Sequence, residues 1–232
     1  MIQRYSITSS ADKLRERFTV DVPDFYTPRF NASPTQLLPI ITSNSPQGIS
    51  LFYWGETPEW AKNKTPAEKI INTPVENLTE KISLRKSLMK TRCIVPADGF
   101  YCWKKVGKKT SIPYRFVMND SSIFSFPGLW EEYEDDAGSE MHTFTIFTTA
   151  SIDIVSDVQE RMPVILNKAS EKIWLNSGAT EIELIELLSK SAVTNLNYYP
   201  VSPRINDHTV DVPSLILPTQ PADQFGNLTL FD

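Results

Sequence analysis

Residues 93–105 read Cys-Ile-Val-Pro-Ala-Asp-Gly-Phe-Tyr-Cys-Trp-Lys-Lys. The run begins apolar, is interrupted by Pro96 and Gly99, and resumes with Phe100, Tyr101 and Trp103. Proline cannot donate to a sheet ladder and glycine packs nothing against it, so the pair predicts a bulge or a close backbone approach within one strand, 93–103. Asp98 stands between them, where a short carboxylate can bond to bent backbone. The aromatic run ends on Lys104 and Lys105. Aromatic faces beside cations are one way to hold single-stranded nucleic acid. A kinked core strand with a solvated end explains the same residues.

Further strands are expected at 112–118, 123–131 and 141–149. Their connections, Val-Gly-Lys-Lys, Asn-Asp-Ser-Ser and Glu-Asp-Asp-Ala-Gly-Ser-Glu, are turn chemistry and short. Consecutive strands so joined predict an antiparallel meander. Upstream, weak alternation predicts a strand over 2–8. Ser9 or Ser10 can cap a short helix that turns Leu14 and Phe18 inward. Residues 21–35, with Pro23, Pro28 and Pro34, read as a loop. Leu37–Thr42 and Ile49–Trp54 read as a hairpin. A polar loop, Gly55–Lys64, exposes Trp60, and a short segment, Ile70–Val75, carries Asn72. Ser83–Lys90 reads as a helix with a cationic face. Downstream, helices are expected at 168–176 and 181–190, the second opened by a Thr180/Glu183 capping box. A last strand is expected at Tyr198–Ser202.

These elements predict an α+β chain with a single domain over residues 1–217 and a tail over 218–232. At 232 residues and 41% hydrophobic, the chain can bury a sizeable core. The net charge of −5 gives no global attraction to nucleic acid, so such binding needs a local basic patch. Cys93 and Cys102 share one strand-like stretch, which predicts reduced thiols rather than a disulfide framework. The amino terminus lacks an apolar leader and no segment reaches membrane-spanning length, which predicts a cytoplasmic protein, nucleoid-associated when bound to DNA, with no membrane partner. His142 and His208 have no partner at ligand spacing, so neither a metal site nor a cofactor is expected.

The ordered set of motifs resembles the SOS response-associated peptidase (SRAP) family of abasic-site-processing proteins. The set comprises Arg4-Tyr5, Phe30-Asn31-Ala32-Ser33-Pro34, Phe52-Tyr53-Trp54-Gly55, Pro58-Glu59-Trp60, Ile71-Asn72, Cys93 through Lys105, Arg161-Met162-Pro163-Val164-Ile165-Leu166 and Tyr199-Pro200-Val201-Ser202. The resemblance implies an antiparallel, barrel-like sheet with peripheral short helices and a groove for single-stranded DNA. It also implies a chemistry in which a cysteine after the initiator methionine closes a thiazolidine on an abasic aldehyde, helped by an asparagine, a glutamate and a histidine.

Three of those four positions differ here. Ile2 stands where the cysteine would be and has no thiol, and its bulk disfavours removal of Met1. Cys102 stands at the glutamate position and is no equivalent proton donor. Gln159 stands at the histidine position and does not titrate. Asn72 is retained. The resemblance leaves Arg4 and Arg161 to pair with phosphates, Asn72 to bond a sugar or base, and Trp60 and Trp103 to stack.

The expectation is a monomer that recognises single-stranded or abasic DNA in the damage response without the stable crosslink. The alternatives are a transient imine through the Met1 amine, the family's peptidase or hydrolase activity, and a non-enzymatic adaptor. The adaptor reading rests on the tail. Asn227-Leu228-Thr229-Leu230-Phe231 resembles the peptide that docks on bacterial sliding clamps, with Leu228, Leu230 and Phe231 as its anchors and Asn227 in place of the usual glutamine. A tail folded back on its own domain explains the same apolar residues.

Overall fold

The structure is a computed structural model that describes residues 1–55, 71–134, 138–190 and 195–228. In chain order its strands are β1 (Tyr5–Ile7), β2 (Arg29–Ala32), β3 (Leu37–Thr42), β4 (Ser50–Trp54), β5 (Asn72–Pro74), β6 (Arg92–Ala97), β7 (Gly99–Lys105), β8 (Ser111–Met118), β9 (Phe124–Glu134), β10 (Glu140–Ala150), β11 (Arg161–Pro163) and β12 (Leu196–Pro200). Its helices are α1 (Ala11–Phe18), α2 (Asn77–Glu80), α3 (Ile82–Lys90), α4 (Asp153–Ser156), α5 (Lys168–Leu175) and α6 (Glu181–Lys190).

The strands form two sheets. In one, β10, β4, β3, β6 and β9 pair in sequence and β9 pairs back to β10, which closes a five-membered ring. Closure removes the exposed edges that an open sheet would present. The other sheet is open, in the order β12-β8-β7-β1-β2. Alternate residues of the ring strands point inward, and Trp54, Phe126, Phe144 and Ile146 are buried there.

The run 93–105 is what joins the sheets. It is not one kinked strand, as the sequence suggests, but two strands in different sheets. β6 ends with Ala97 opposite Phe124 of β9, and β7 begins with Gly99 opposite Ser6 of β1. Asp98 is the residue between. Its carboxylate accepts from the Ser6 hydroxyl at 2.8 Å, from the Thr8 backbone N–H and from the Thr8 hydroxyl at 2.8 Å. It also pairs with the buried Arg115 guanidinium at 3.0 Å. Arg115 donates further to Ser6 Oγ at 2.9 Å and to the Tyr199 hydroxyl at 2.8 Å. Gly99 makes room for this: a Cβ there would lie 2.6 Å from Arg115 Nε.

Local signals elsewhere match the structure. Ser10 caps α1, with Leu14 fully buried. β3 and β4 pair antiparallel from Leu37↔Tyr53 to Ile40↔Ser50. Thr180 and Glu183 bond reciprocally at the start of α6. Three expectations are corrected. The loop expected over 21–35 contains β2, whose partner β1 lies more than twenty residues away in sequence. The expected meander is interrupted, because β8 and β9 belong to different sheets. The ring is also not wholly antiparallel, since β10 runs parallel to β4.

Candidate functional site

The amino-terminal residues are threaded into the fold rather than left free. Ile2 is fully buried, and its carbonyl accepts from Asn72 Nδ2 at 2.7 Å. Asn72 is placed for this by β5, where it lies beside Ile146 of β10 in a parallel pair. The chain enters that pair correctly because Ile71 O accepts from both Trp54 Nε1 and the Ile146 N–H. Asn72 is itself buried, and its Oδ1 has no hydrogen-bond partner.

Cys102 is buried on the inward face of β7. Burial pushes its thiol pKa up to about 12, and the positive charge of the Met1 amine acts in the opposite sense. The amine shows the reciprocal effect. Burial lowers its pKa, Cys102 raises it, Arg161 lowers it and Glu160 raises it. Amine, thiol and guanidinium therefore share one neighbourhood. A thiol so strongly protonated is a poor nucleophile and a poor acid at neutral pH. An amine with a lowered pKa carries a larger neutral fraction, which is the form that attacks a carbonyl.

Arg161 opens β11 opposite Ala150 of β10. Its guanidinium donates to Thr148 O at 2.9 Å and to both carboxylate oxygens of Glu76 at 3.2 and 2.9 Å. The hydrogen bond from Arg161 holds the Glu76 carboxyl below its usual value. Arg161 Nε is buried without a partner. Gln159 does not face open space: its Nε2 donates to Arg161 O at 2.8 Å and props the start of β11.

Arg4 lies opposite Tyr101, whose N–H donates to Arg4 O at 3.1 Å. Its Nη1 donates to Gln3 O at 2.9 Å, its Nε is buried without a partner, and among the described residues no carboxylate pairs with it. Trp103 is one residue from Cys102 and so points to the opposite face of β7. It packs with Tyr101, Val201, Ile205 and Leu215, and its indole N–H donates to Asn206 Oδ1 at 2.9 Å.

The structure thus brings Met1, Ile2, Asn72, Cys102, Gln159 and Arg161 into one neighbourhood. Arg4 and Trp103 belong to the other face of β7. Trp60, Leu230 and Phe231 lie outside the described residues. Leu228 is 63% exposed and closes a turn in which Asp223 N donates to Asn227 O and Ala222 bridges Leu228. That turn lies against its own domain, because Gln224 Oε1 accepts from Ser111 N at 2.8 Å.

Two residues escaped the sequence reading. Glu76 occupies Arg161, and no local signal marks a pair 85 positions apart. His142 does have partners: Glu132 stands opposite it on β9, and Glu140 precedes it by two on β10. A cross-strand partner becomes visible only once the register is known.

A family profile described as SOS response associated peptidase (SRAP) matches residues 1–208. The abasic site processing protein YoqW of Bacillus subtilis is 38% identical over 93% of this chain and 99% of its own length. The rat abasic site processing protein HMCES is 27% identical over 84% of this chain and 66% of its own length. A crystal structure of a protein from Bacteroides thetaiotaomicron superposes with a TM-score of 0.78 at 26% identity, covering 93% of this chain and 99% of that one.

Proposed function

The chain belongs to the SOS response associated peptidase (SRAP) family, and from that premise we propose that it recognises abasic sites in single-stranded DNA through the cluster around its amino terminus. The observation that carries this reading is unmet hydrogen-bonding capacity. Nine side-chain atoms of the described residues are buried and unpartnered; Asn72 Oδ1 and Arg161 Nε lie in this cluster, and Arg4 Nε on the other face of β7. Native folds pair nearly all such atoms, and an exception can mark a place where a bound group, ion or water supplies the missing partner. An opened sugar offers hydroxyls to Asn72, and its flanking phosphates offer oxygens to the two arginines. The relatives' names, abasic site processing proteins, support the same substrate.

Recognition proceeds here without a thiazolidine. Ile2 supplies no thiol. Cys102 is too strongly protonated to take over, and Gln159 moves no proton. Peptidase activity lacks the same nucleophile. One observation favours a second, covalent outcome: the Met1 amine is shifted toward its neutral form by burial. Such an amine can condense with the abasic aldehyde, losing water and giving an imine that hydrolyses back.

The deciding experiment is incubation with a single-stranded oligonucleotide carrying one abasic site. It is run on a native gel and on a denaturing gel with and without borohydride. Native binding with no denaturing band supports recognition alone. A band that needs borohydride supports the transient imine. A band without reductant overturns both readings.

A further inference from the structure

At the end of the barrel away from the Asp98 corner, the inward face of the ring runs out into solvent. Trp54 and Phe144 stack inside it with centroids 6.4 Å apart. One step further along the strands, Phe52 stacks on the His142 imidazole at 4.5 Å and 18°, and Trp130 lies 5.7 Å from the same ring. One step further again come the carboxylates of Glu132 and Glu140. We propose that Glu132, Glu140 and His142 form a binding site for a divalent transition-metal ion of the zinc class at this mouth of the barrel.

The donor geometry carries the proposal. The ligand atoms of the three residues all lie within 4.8 Å of one another. His142 Nε2 and Glu132 Oε2 are 3.1 Å apart. Two donors on one zinc ion, each at about 2 Å and set tetrahedrally, stand roughly 3.3 Å apart. Glu140 reaches the same point by a change of side-chain rotamer, since it is exposed.

The aromatic wall is a separate observation. Phe52 and Trp130 belong to neighbouring strands, and they fix the imidazole plane without any help from the carboxylates, so Nε2 is aimed outward before an ion arrives. That order lowers the cost of assembling the site. One imidazole and two carboxylates suit zinc, cobalt, nickel or copper better than magnesium or calcium, which prefer oxygen alone. Three protein ligands leave further positions for water.

The chain has few competitors for such an ion. It has two histidines and two cysteines, and both cysteines are buried. The test is calorimetric titration of the full-length, tag-free chain with Zn²⁺, repeated for H142A, E140Q and H208A with folding checked by circular dichroism. One Zn²⁺ per chain is expected, bound at least tenfold more weakly by H142A and by E140Q and equally by H208A. Co²⁺ should quench the Trp130 fluorescence of the wild type, and W130F should bind Co²⁺ while losing that component of the quench. E140Q alters an exposed side chain and keeps the test open if H142A unfolds. No saturable binding, or wild-type affinity in E140Q and in folded H142A, overturns the proposal.

Discussion

Two polar clusters lie beside the same strand, β7, and treat their atoms in opposite ways. At its start, Asp98 and Arg115 are buried together. The carboxylate accepts from Ser6, Thr8 and Arg115, and the guanidinium donates to Ser6, Asp98 and Tyr199. Near its middle, beside Cys102 and Met1, Asn72 Oδ1 and Arg161 Nε are equally hidden from water and have no partner. A satisfied network fixes one conformation, whereas an unsatisfied one costs stability until something binds. The first cluster holds two sheets at a corner. The second is what a ligand would complete.

Breaking the satisfied cluster should do the most damage. Asp98→Ala leaves Arg115 charged and buried without its carboxylate, and stability should fall by about 3–5 kcal/mol. Chemical denaturation checks this, and a Tm lowered by roughly 10 °C should accompany it. A loss under about 1 kcal/mol would mean that the corner does not depend on the pair.

The second cluster can be probed through its thiol. With a pKa of about 12, against an ordinary 9.0, Cys102 should alkylate roughly a thousandfold more slowly than an exposed thiol at pH 8. Both cysteines should react at the ordinary rate in denaturant. Fast alkylation of Cys102 in the native protein would sink the assignment of this thiol as inert.

Removing the guanidinium groups sharpens the contrast differently. Arg4→Ala combined with Arg161→Ala should weaken binding of single-stranded abasic DNA by about ten- to a hundredfold. The slope of log affinity against log salt should shrink by about one for each phosphate no longer neutralised. Stability should change little, because neither side chain is part of the corner.

The smallest effect is expected at Glu76. Glu76→Gln releases Arg161 for phosphate and should tighten DNA binding a few-fold, while an exposed pair of this kind contributes at most about 1 kcal/mol to stability. The pH dependence has a definite sign. Arg161 lowers the folded-state pKa of Glu76 below 4.5, so the pair's contribution is present above that pH and is lost as pH falls through the lowered value. E76Q should flatten that segment of the acid-unfolding profile.

Short-range elements were legible in the sequence because their signals are short-range. The Ser10 cap, the Thr180/Glu183 capping box and the β3–β4 hairpin each depend on residues a few positions apart. The ring was legible only through the family resemblance, which implied a barrel-like sheet, and not through any local pattern. Its closure depends on β10 running parallel to β4, whose strands are some ninety residues apart, and no local pattern encodes that pairing. The Asp98 break looked like a bulge because Pro96 and Gly99 signal a disrupted ladder without saying whether the strand resumes in the same sheet. The site divides in the same way. Motifs named its residues, but only the alternation of β7 separates Cys102 from Trp103, and only the β9–β10 register gives His142 its carboxylates.

β10 has neighbours along both edges: β9 and then β11 on one, and β4 and then β5 on the other. During synthesis the chain emerges from its amino terminus, so the barrel has no closing stave until about residue 150 has left the ribosome. Until then the β3–β4 hairpin and β6 present open edges and an uncovered apolar face, the surfaces by which nascent chains associate wrongly. Asn72 and Arg161 are both anchored to β10. The amino terminus is made first, yet it waits for more than half of the chain before it has a place to sit.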